Sequence, residues 1–250
     1  MRCGDKGVVT LRNTVEILGV NVDKVTFGEA LERLERLMNT DGVSAVFTPN
    51  PEIVMAAHED ADFRDILNSA DLCTADGIGV VYASKMIKDP VPERVAGFDL
   101  TCALLEKAAK GGNGVFLFGS KPGVAETAKA KMEEKYPGIR IVGTRNGYFK
   151  PEDNAEIVEQ INESGADLLL VCLGAPKQEK WIAENRDKLK VKLCMGVGGT
   201  LDVFAGTSKR APEIFIKLNL EWLYRGLKQP SRLIRFVALP KFMIEVMKQK

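Results

Sequence analysis

The chain is almost without histidine: among 250 residues His58 stands alone. A histidine-built zinc site is therefore excluded, and a Ser-His-Asp triad has only His58 to draw on. The five cysteines (Cys3, Cys73, Cys102, Cys172 and Cys194) are odd in number and include no C-x-x-C pair. That pattern speaks for small buried hydrophobes in a reducing cytoplasm, not for a disulfide framework. No stretch approaches the roughly 18 uninterrupted apolar residues of a membrane span. The opening MRCGDKGVVTLRN lacks the apolar segment of a signal peptide. A cytoplasmic location is expected. Net charge is also nearly absent, +1 from 35 basic and 34 acidic residues, which excludes a chain that coats nucleic acid along its whole length.

What is present is an ordinary globular balance, 45% apolar and 28% charged. At roughly 150 residues per domain the length fits one large domain, or one with an appendage. A chain this long buries a sizeable core without disulfides or a structural metal.

Charge is partitioned along the chain. From Thr207 to Lys250 there are ten basic residues against Glu213, Glu221 and Glu245, a net +7 that leaves −6 on residues 1–206. Residues 207–250 are therefore read as an anion-seeking appendage to a core of residues 1–206. Within it Ile214, Phe215, Leu218 and Trp222 recur at helical spacing. Pro230 breaks the chain, and a second stripe (Leu233, Phe236, Val237) is ended or kinked by Pro240 before Phe242, Met243, Val246 and Met247 resume it. Arg225, Lys228, Arg232 and Arg235 fall at intervals of three, four and three. Two readings stand: helices packed on the core with a solvated basic face, or an amphipathic element lying at a membrane surface. Near an anionic leaflet each basic residue adds roughly 1 kcal/mol.

The core reads as alternating strands and helices. Val43–Phe47, Val115–Phe118, Ile139–Val142 and Leu168–Leu173 are short apolar runs, suited to strands buried on both faces. Phe27–Met38 carries apolar residues at intervals of three or four, and Pro122–Lys135 and Pro151–Glu163 open with a proline fit for a first helical turn. The expected class is α/β: a Rossmann-like parallel sheet flanked by helices, with a C-terminal helical appendage.

In such sheets ligands bind outside the carboxyl ends of the strands. After Val43–Phe47 comes TPNPEIV, which places Thr48 and Asn50 at a strand end; Asn50 also suits the cap of a helix whose first residue is Pro51. After Asp71–Ala75 comes Asp76, followed by Gly77: a position for a general base, or for a cap. After Val115–Phe118 comes GSKPG, with Gly119 and Ser120 leading into a helix start that can hold phosphate. It lacks P-loop spacing. Gln178 sits in GAPKQEKW on a first helical turn, and Gly198 in GVGGT after Lys192–Met195. No G-x-G-x-x-G is intact at a strand–helix junction, which weakens a nicotinamide-dependent epimerase or oxidoreductase. Asp60-Ala61-Asp62 spells the D-x-D of metal-dependent sugar transferases, but it lies between helical stretches and reads as a cap or a solvated pair.

Taken in order, TPNPEIV, TADGIGVV, ERVAGFDL, GAPKQEKW, GVGGTLDVFAG and NLEWLYRGLKQPSR resemble the WecG/TagA/CpsF glycosyltransferases, from about Ile17 to about Phe236. The resemblance implies transfer of N-acetylmannosamine from UDP to the 4-hydroxyl of N-acetylglucosamine on undecaprenyl diphosphate. The transfer would invert the anomeric carbon, give a β-1,4 link and belong to wall teichoic acid linkage-unit synthesis. Relatives using UDP-N-acetylmannosaminuronic acid or UDP-glucose leave the donor sugar open. No metal and no cofactor are implied. The implied partners are the UDP-sugar, the polyprenyl-diphosphate acceptor and the inner face of the cell membrane, met peripherally through the appendage; nucleic acid is not among them. Self-association would cover an appendage that has left the membrane. By position Asp76 matches the general base. Thr48, Asn50, Arg94 and Gln178 fall to the donor, and Arg225, Arg232 and Arg235 to diphosphate; Gly119, Ser120 and Gly198 are given to the donor by the strand-end reading alone, as glycine-bearing strand ends that suit a phosphate-containing ligand.

Overall fold

The computed structural model describes residues 12–217, 220–221, 223–224 and 234–249. A hairpin of β1 (Thr14–Ile17) and β2 (Val20–Asp23) precedes α1 (Phe27–Leu37). The main sheet holds β3 (Ser44–Phe47), β4 (Leu72–Cys73), β5 (Gly114–Gly119), β6 (Arg140–Arg145), β7 (Leu168–Cys172) and β8 (Leu193–Gly196). Its order is β4-β3-β8-β7-β5-β6, and every pairing is parallel. The helices between are α2 (Pro51–Glu59), α3 (Ala61–Asn68), α4 (Ile78–Met86), α5 (Gly97–Gly111), α6 (Val124–Lys135), α7 (Asn154–Glu163), α8 (Lys177–Asn185) and α9 (Thr200–Phe204). The tail adds α10 (Glu213–Lys217) and α11 (Ile234–Lys248).

The apolar runs form strands because both of their faces are covered. Along β7, Leu169 and Val171 point into one buried cluster while Leu168, Leu170 and Cys172 point into the other. Along β5, Phe116 and Phe118 oppose Val115 and Leu117 in the same way. This period of two places a layer of helices on each side of the sheet. Elsewhere local chemistry sets the ends: α1 starts at a capping box in which Thr26 and Glu29 satisfy each other's backbone N–H.

The expected class holds, and several boundaries move. Helix α6 begins at Val124 because Gly123, at φ +84°, takes the cap position that Pro122 was expected to open. A 3-10 turn at Pro151–Asp153 precedes α7. Pro240, expected to end or kink its stripe, lies inside α11, which continues to Lys248. Phe242 and Val246 of that helix are fully buried in the cluster shared with α2 and α4. The stripe positions Leu218, Trp222, Pro230 and Leu233 lie outside the described residues. No helix among the described residues is long and apolar enough to cross a membrane.

Strand order positions the crevice. Helix α2, leaving β3, buries Val54, Met55 and Ala57 in one cluster, whereas α9, leaving the adjoining β8, buries Leu201 in the other. The two loops diverge to opposite faces, and at such a divergence open α/β sheets bind ligands in a cleft beyond the carboxyl ends of the strands, here those of β3 and β8.

Candidate active site

Two groups of residues lie along that carboxyl edge. The first comes from the exits of β3 and β4. Beyond the Phe47–Cys73 pairing the two segments stay together: Thr74 N–H donates to Phe47 O at 3.0 Å and Asp76 N–H to Pro49 O at 3.1 Å. Val95 N–H donates to Ala75 O at 3.0 Å, so the ERVAG segment runs alongside. At its end Gly97, the first residue of α5, donates its N–H to Asp76 Oδ2 at 3.2 Å. A Cβ on Gly97 would lie 2.5 Å from Thr48 Oγ1 and 3.3 Å from Asp76 Oδ2. Thr48, Asp76 and the start of α5 are thus in one place, and Asp76 is partly open to solvent.

The Asn50 amide oxygen is committed to structure. Its Oδ1 accepts from Glu52 N–H at 2.9 Å and Ile53 N–H at 3.1 Å, capping α2 with Pro51 at its first position. Gly77, at φ +98°, lets the chain turn from Asp76 into α4. Arg94 faces the tail: its guanidinium is 3.7 Å from the Glu221 carboxylate, and both side chains are mostly buried.

The second group comes from β5, β7 and β8. Gly119, at φ +130°, passes so close to β7 that a Cβ would lie 2.3 Å from Cys172 O. Ser120, itself at φ +58°, donates its N–H to Cys172 O at 2.9 Å and its hydroxyl to Asp202 Oδ2 at 2.9 Å. Gln178 is buried; its Oε1 accepts from Gly198 N–H at 3.1 Å and its Nε2 donates to Glu179 Oε1 at 2.9 Å. The N–H groups of Ser120 and Gly198 are thus engaged within the protein. These residues shape the loops around the cleft.

The remaining chemistry-bearing side chains have other roles. Asp60 caps α3 through Phe63 N–H at 3.0 Å and pairs with Lys180 at 2.9 Å, so the D-x-D sequence is spent on structure as expected. Cys73, Cys172 and Cys194 are buried and Cys102 is half-buried; burial pushes the thiols of Cys73 and Cys194 up to about 12. Arg225 and Arg232 lie outside the described residues, as does the side chain of Arg235, whose backbone belongs to α11. An open depression of about 480 Å³ between α5, α6 and α9, lined by Phe98, Lys131, Lys135 and Phe204, contains none of the candidate residues.

Gly97, Glu179, Asp202 and Glu221 were not singled out from sequence. The first three stand inside quoted motifs, ERVAGFDL, GAPKQEKW and GVGGTLDVFAG, and motif membership is the signal that points to them. Glu221 stands in NLEWLYRGLKQPSR, but its partner Arg94 is remote in sequence.

The model of the family described as "Glycosyl transferase WecG/TagA/CpsF family" matches residues 15–250. A protein of Staphylococcus aureus (strain MRSA252) named N-acetylglucosaminyldiphosphoundecaprenol N-acetyl-beta-D-mannosaminyltransferase is 38% identical over 238 residues, 94% of this chain and 93% of the relative. Its counterpart in strain MW2, bearing the same name, is 37% identical over the same shares.

Proposed function

Because the chain belongs to the WecG/TagA/CpsF family of glycosyl transferases, we propose that it moves N-acetylmannosamine from UDP to the 4-hydroxyl of N-acetylglucosamine carried on undecaprenyl diphosphate. The product is the β-1,4-linked disaccharide lipid of a wall teichoic acid linkage unit, formed with inversion. One observation carries this reading: a partly exposed carboxylate, Asp76, is held by the Gly97 N–H beside Thr48 at the carboxyl edge of the sheet. That is where a base must stand to meet an acceptor hydroxyl.

In the proposed step Asp76 takes the proton of the 4-hydroxyl as that oxygen bonds to the anomeric carbon. The bond from that carbon to UDP breaks on the opposite face, and its electron pair goes to the β-phosphate. Arginine meets that charge well, because its guanidinium stays protonated and binds phosphate through two parallel hydrogen bonds. Arg94 on the core and Arg225, Arg232 and Arg235 on the tail are assigned to it. Preorganised donors of this kind stabilise the departing group without reorganising as it leaves. Thr48 and Asn50 are assigned to the sugar end of the donor. Gly119, Ser120, Gln178 and Gly198 are assigned to the loops that seat it.

Residues 207–250 are assigned to the membrane surface, at the inner face and without crossing it. The pairing of Arg94 with Glu221 supports a tail that reaches the site. Ile244 and Met247 are exposed on α11 next to Lys241 and Lys248, the arrangement of an interfacial helix. A tail that closes over the donor also excludes water from the sugar–phosphate bond. Self-association covers the same surface when no membrane is present.

The test supplies a short-chain lipid-diphosphate N-acetylglucosamine with UDP-N-acetylmannosamine, its uronic acid or UDP-glucose, and measures released UDP. Release that needs both the acceptor and UDP-N-acetylmannosamine is expected. Release with another donor reassigns the sugar, and conversion of the UDP-sugar without acceptor contradicts a transferase.

A further inference from the structure

The Gln178 amide meets a different group at each end. Nε2 donates to Glu179 Oε1 at 2.9 Å, and Oε1 accepts from Gly198 N–H at 3.1 Å. The fit is close: a Cβ on Gly196, the last residue of β8, would lie 2.9 Å from Gln178 Nε2. The Cys172 thiol donates to the Gly198 carbonyl from the other side. Gly198 itself is left-handed, at φ +54°. The turn after β8 is therefore held through both its N–H and its C=O, beside the exit of β3.

Glu179 is the unexplained member of this chain of contacts. It is 2% exposed, and its Oε2 has no hydrogen-bond partner. A carboxyl half satisfied inside a protein is costly. What a carboxyl supplies there is direction. An amide has nearly the same shape either way round, so its neighbours decide which end donates. An oxygen on Glu179 draws Nε2 toward itself and leaves Oε1 for the Gly198 N–H.

We propose that Glu179 is a positioning residue for donor binding: through the Gln178 amide it holds the Val197–Gly199 turn at the edge of the nucleotide-sugar cleft. The proposal rests on the donor reading of that cleft given above. Burial, which pushes the Glu179 carboxyl above the usual range, leaves the contact intact, because a protonated carboxyl still accepts through its carbonyl oxygen.

The experiment uses the full chain with Glu179→Leu, Glu179→Met and Glu179→Gln. Each is read by thermal unfolding, by the amide resonances of Gly198 and of the Gln178 side chain, by UDP affinity and by steady-state kinetics with UDP-N-acetylmannosamine. The leucine and methionine variants are expected to shift the Gly198 resonance and raise donor KM about tenfold, with kcat nearly unchanged. Glu179→Gln, whose amide oxygen still accepts from Nε2, is expected to restore the resonance and the KM. Apolar variants with the wild-type Gly198 resonance and wild-type UDP affinity would overturn the proposal. So would fast hydrogen exchange at Gly198 N–H in the wild-type protein, a result that needs no variant to fold. If the wild type does not turn over UDP-N-acetylmannosamine, the donor assignment fails, while the resonance and UDP readouts still test the role of Glu179.

Discussion

Gly97 N–H and Asp76 Oδ2 are 3.2 Å apart, so the first residue of a 15-residue helix orients the proposed base. The partial positive charge of a helix N-terminus also favours a carboxylate there. Because a Cβ at residue 97 would sit 2.5 Å from Thr48 Oγ1, Gly97→Ala must displace Thr48, Asp76 or both. Misplacement of about 1 Å costs on the order of a hundredfold in turnover. Gly97→Ala is expected to lower kcat on that scale while UDP titration stays near wild type; an unchanged kcat contradicts this placement.

Arg94→Lys keeps the charge and loses the fork. A hydrogen bond to a charged group contributes about 1.5–3 kcal/mol, so UDP affinity should fall roughly ten- to a hundredfold. Calorimetric titration with UDP checks this, and an unchanged Kd removes Arg94 from the donor site.

Phe242 is fully buried between α11 and the helices beneath it. Phe242→Ala should cost about 3–5 kcal/mol, read from denaturant midpoints at constant m. A chain ending at Gly206 also loses Leu239, which packs over Gly79 of α4. Its bared apolar face should make it self-associate in sedimentation; a strictly monomeric truncated form counts against this packing.

Glu179 makes stability depend on pH. Burial raises its carboxyl above the ordinary glutamate value of 4.5. The folded state therefore holds its proton to higher pH than the unfolded state does. Stability from this group is full below 4.5 and is lost as pH rises through the folded value. Glu179→Gln lacks that loss, so its stability advantage over wild type should grow from about pH 4 to about pH 8, by about 1.4 kcal/mol for every tenfold by which folding tightens the hold on the proton. Melting temperatures of the two proteins across that range check this. A constant difference contradicts the assignment; Cys73, the neighbouring thiol, is pushed up to about 12 and does not titrate there.

The sheet was legible where burial acts on both faces, as in β5 and β7, since only continuous apolar runs fit between two helical layers. The strand-end positions of Thr48 and Asp76, and that of Gln178 on the first turn of the helix after β7, followed from the same logic. The β1–β2 hairpin was not legible: its four-residue strands turn through Leu18 and Gly19, both at positive φ, without a characteristic Asn-Gly or Asp-Gly pair. Strand β4 is two residues long, and α5 begins at a glycine with no side-chain cap. Helix α11 passes through Pro240, where local propensity argues for a stop, because burial of Phe242 and Val246 overrides it. Partners such as Glu221 for Arg94 and Asp202 for Ser120 are joined by the fold, and no sequence spacing records them.

The most direct test of the proposed base is Asp76→Asn, compared with wild type in UDP release from UDP-N-acetylmannosamine with the lipid-linked acceptor, alongside UDP affinity of both proteins. Loss of a general base predicts a kcat lower by about 10²–10⁴ with UDP affinity nearly unchanged. A variant that transfers sugar at the wild-type rate would contradict it.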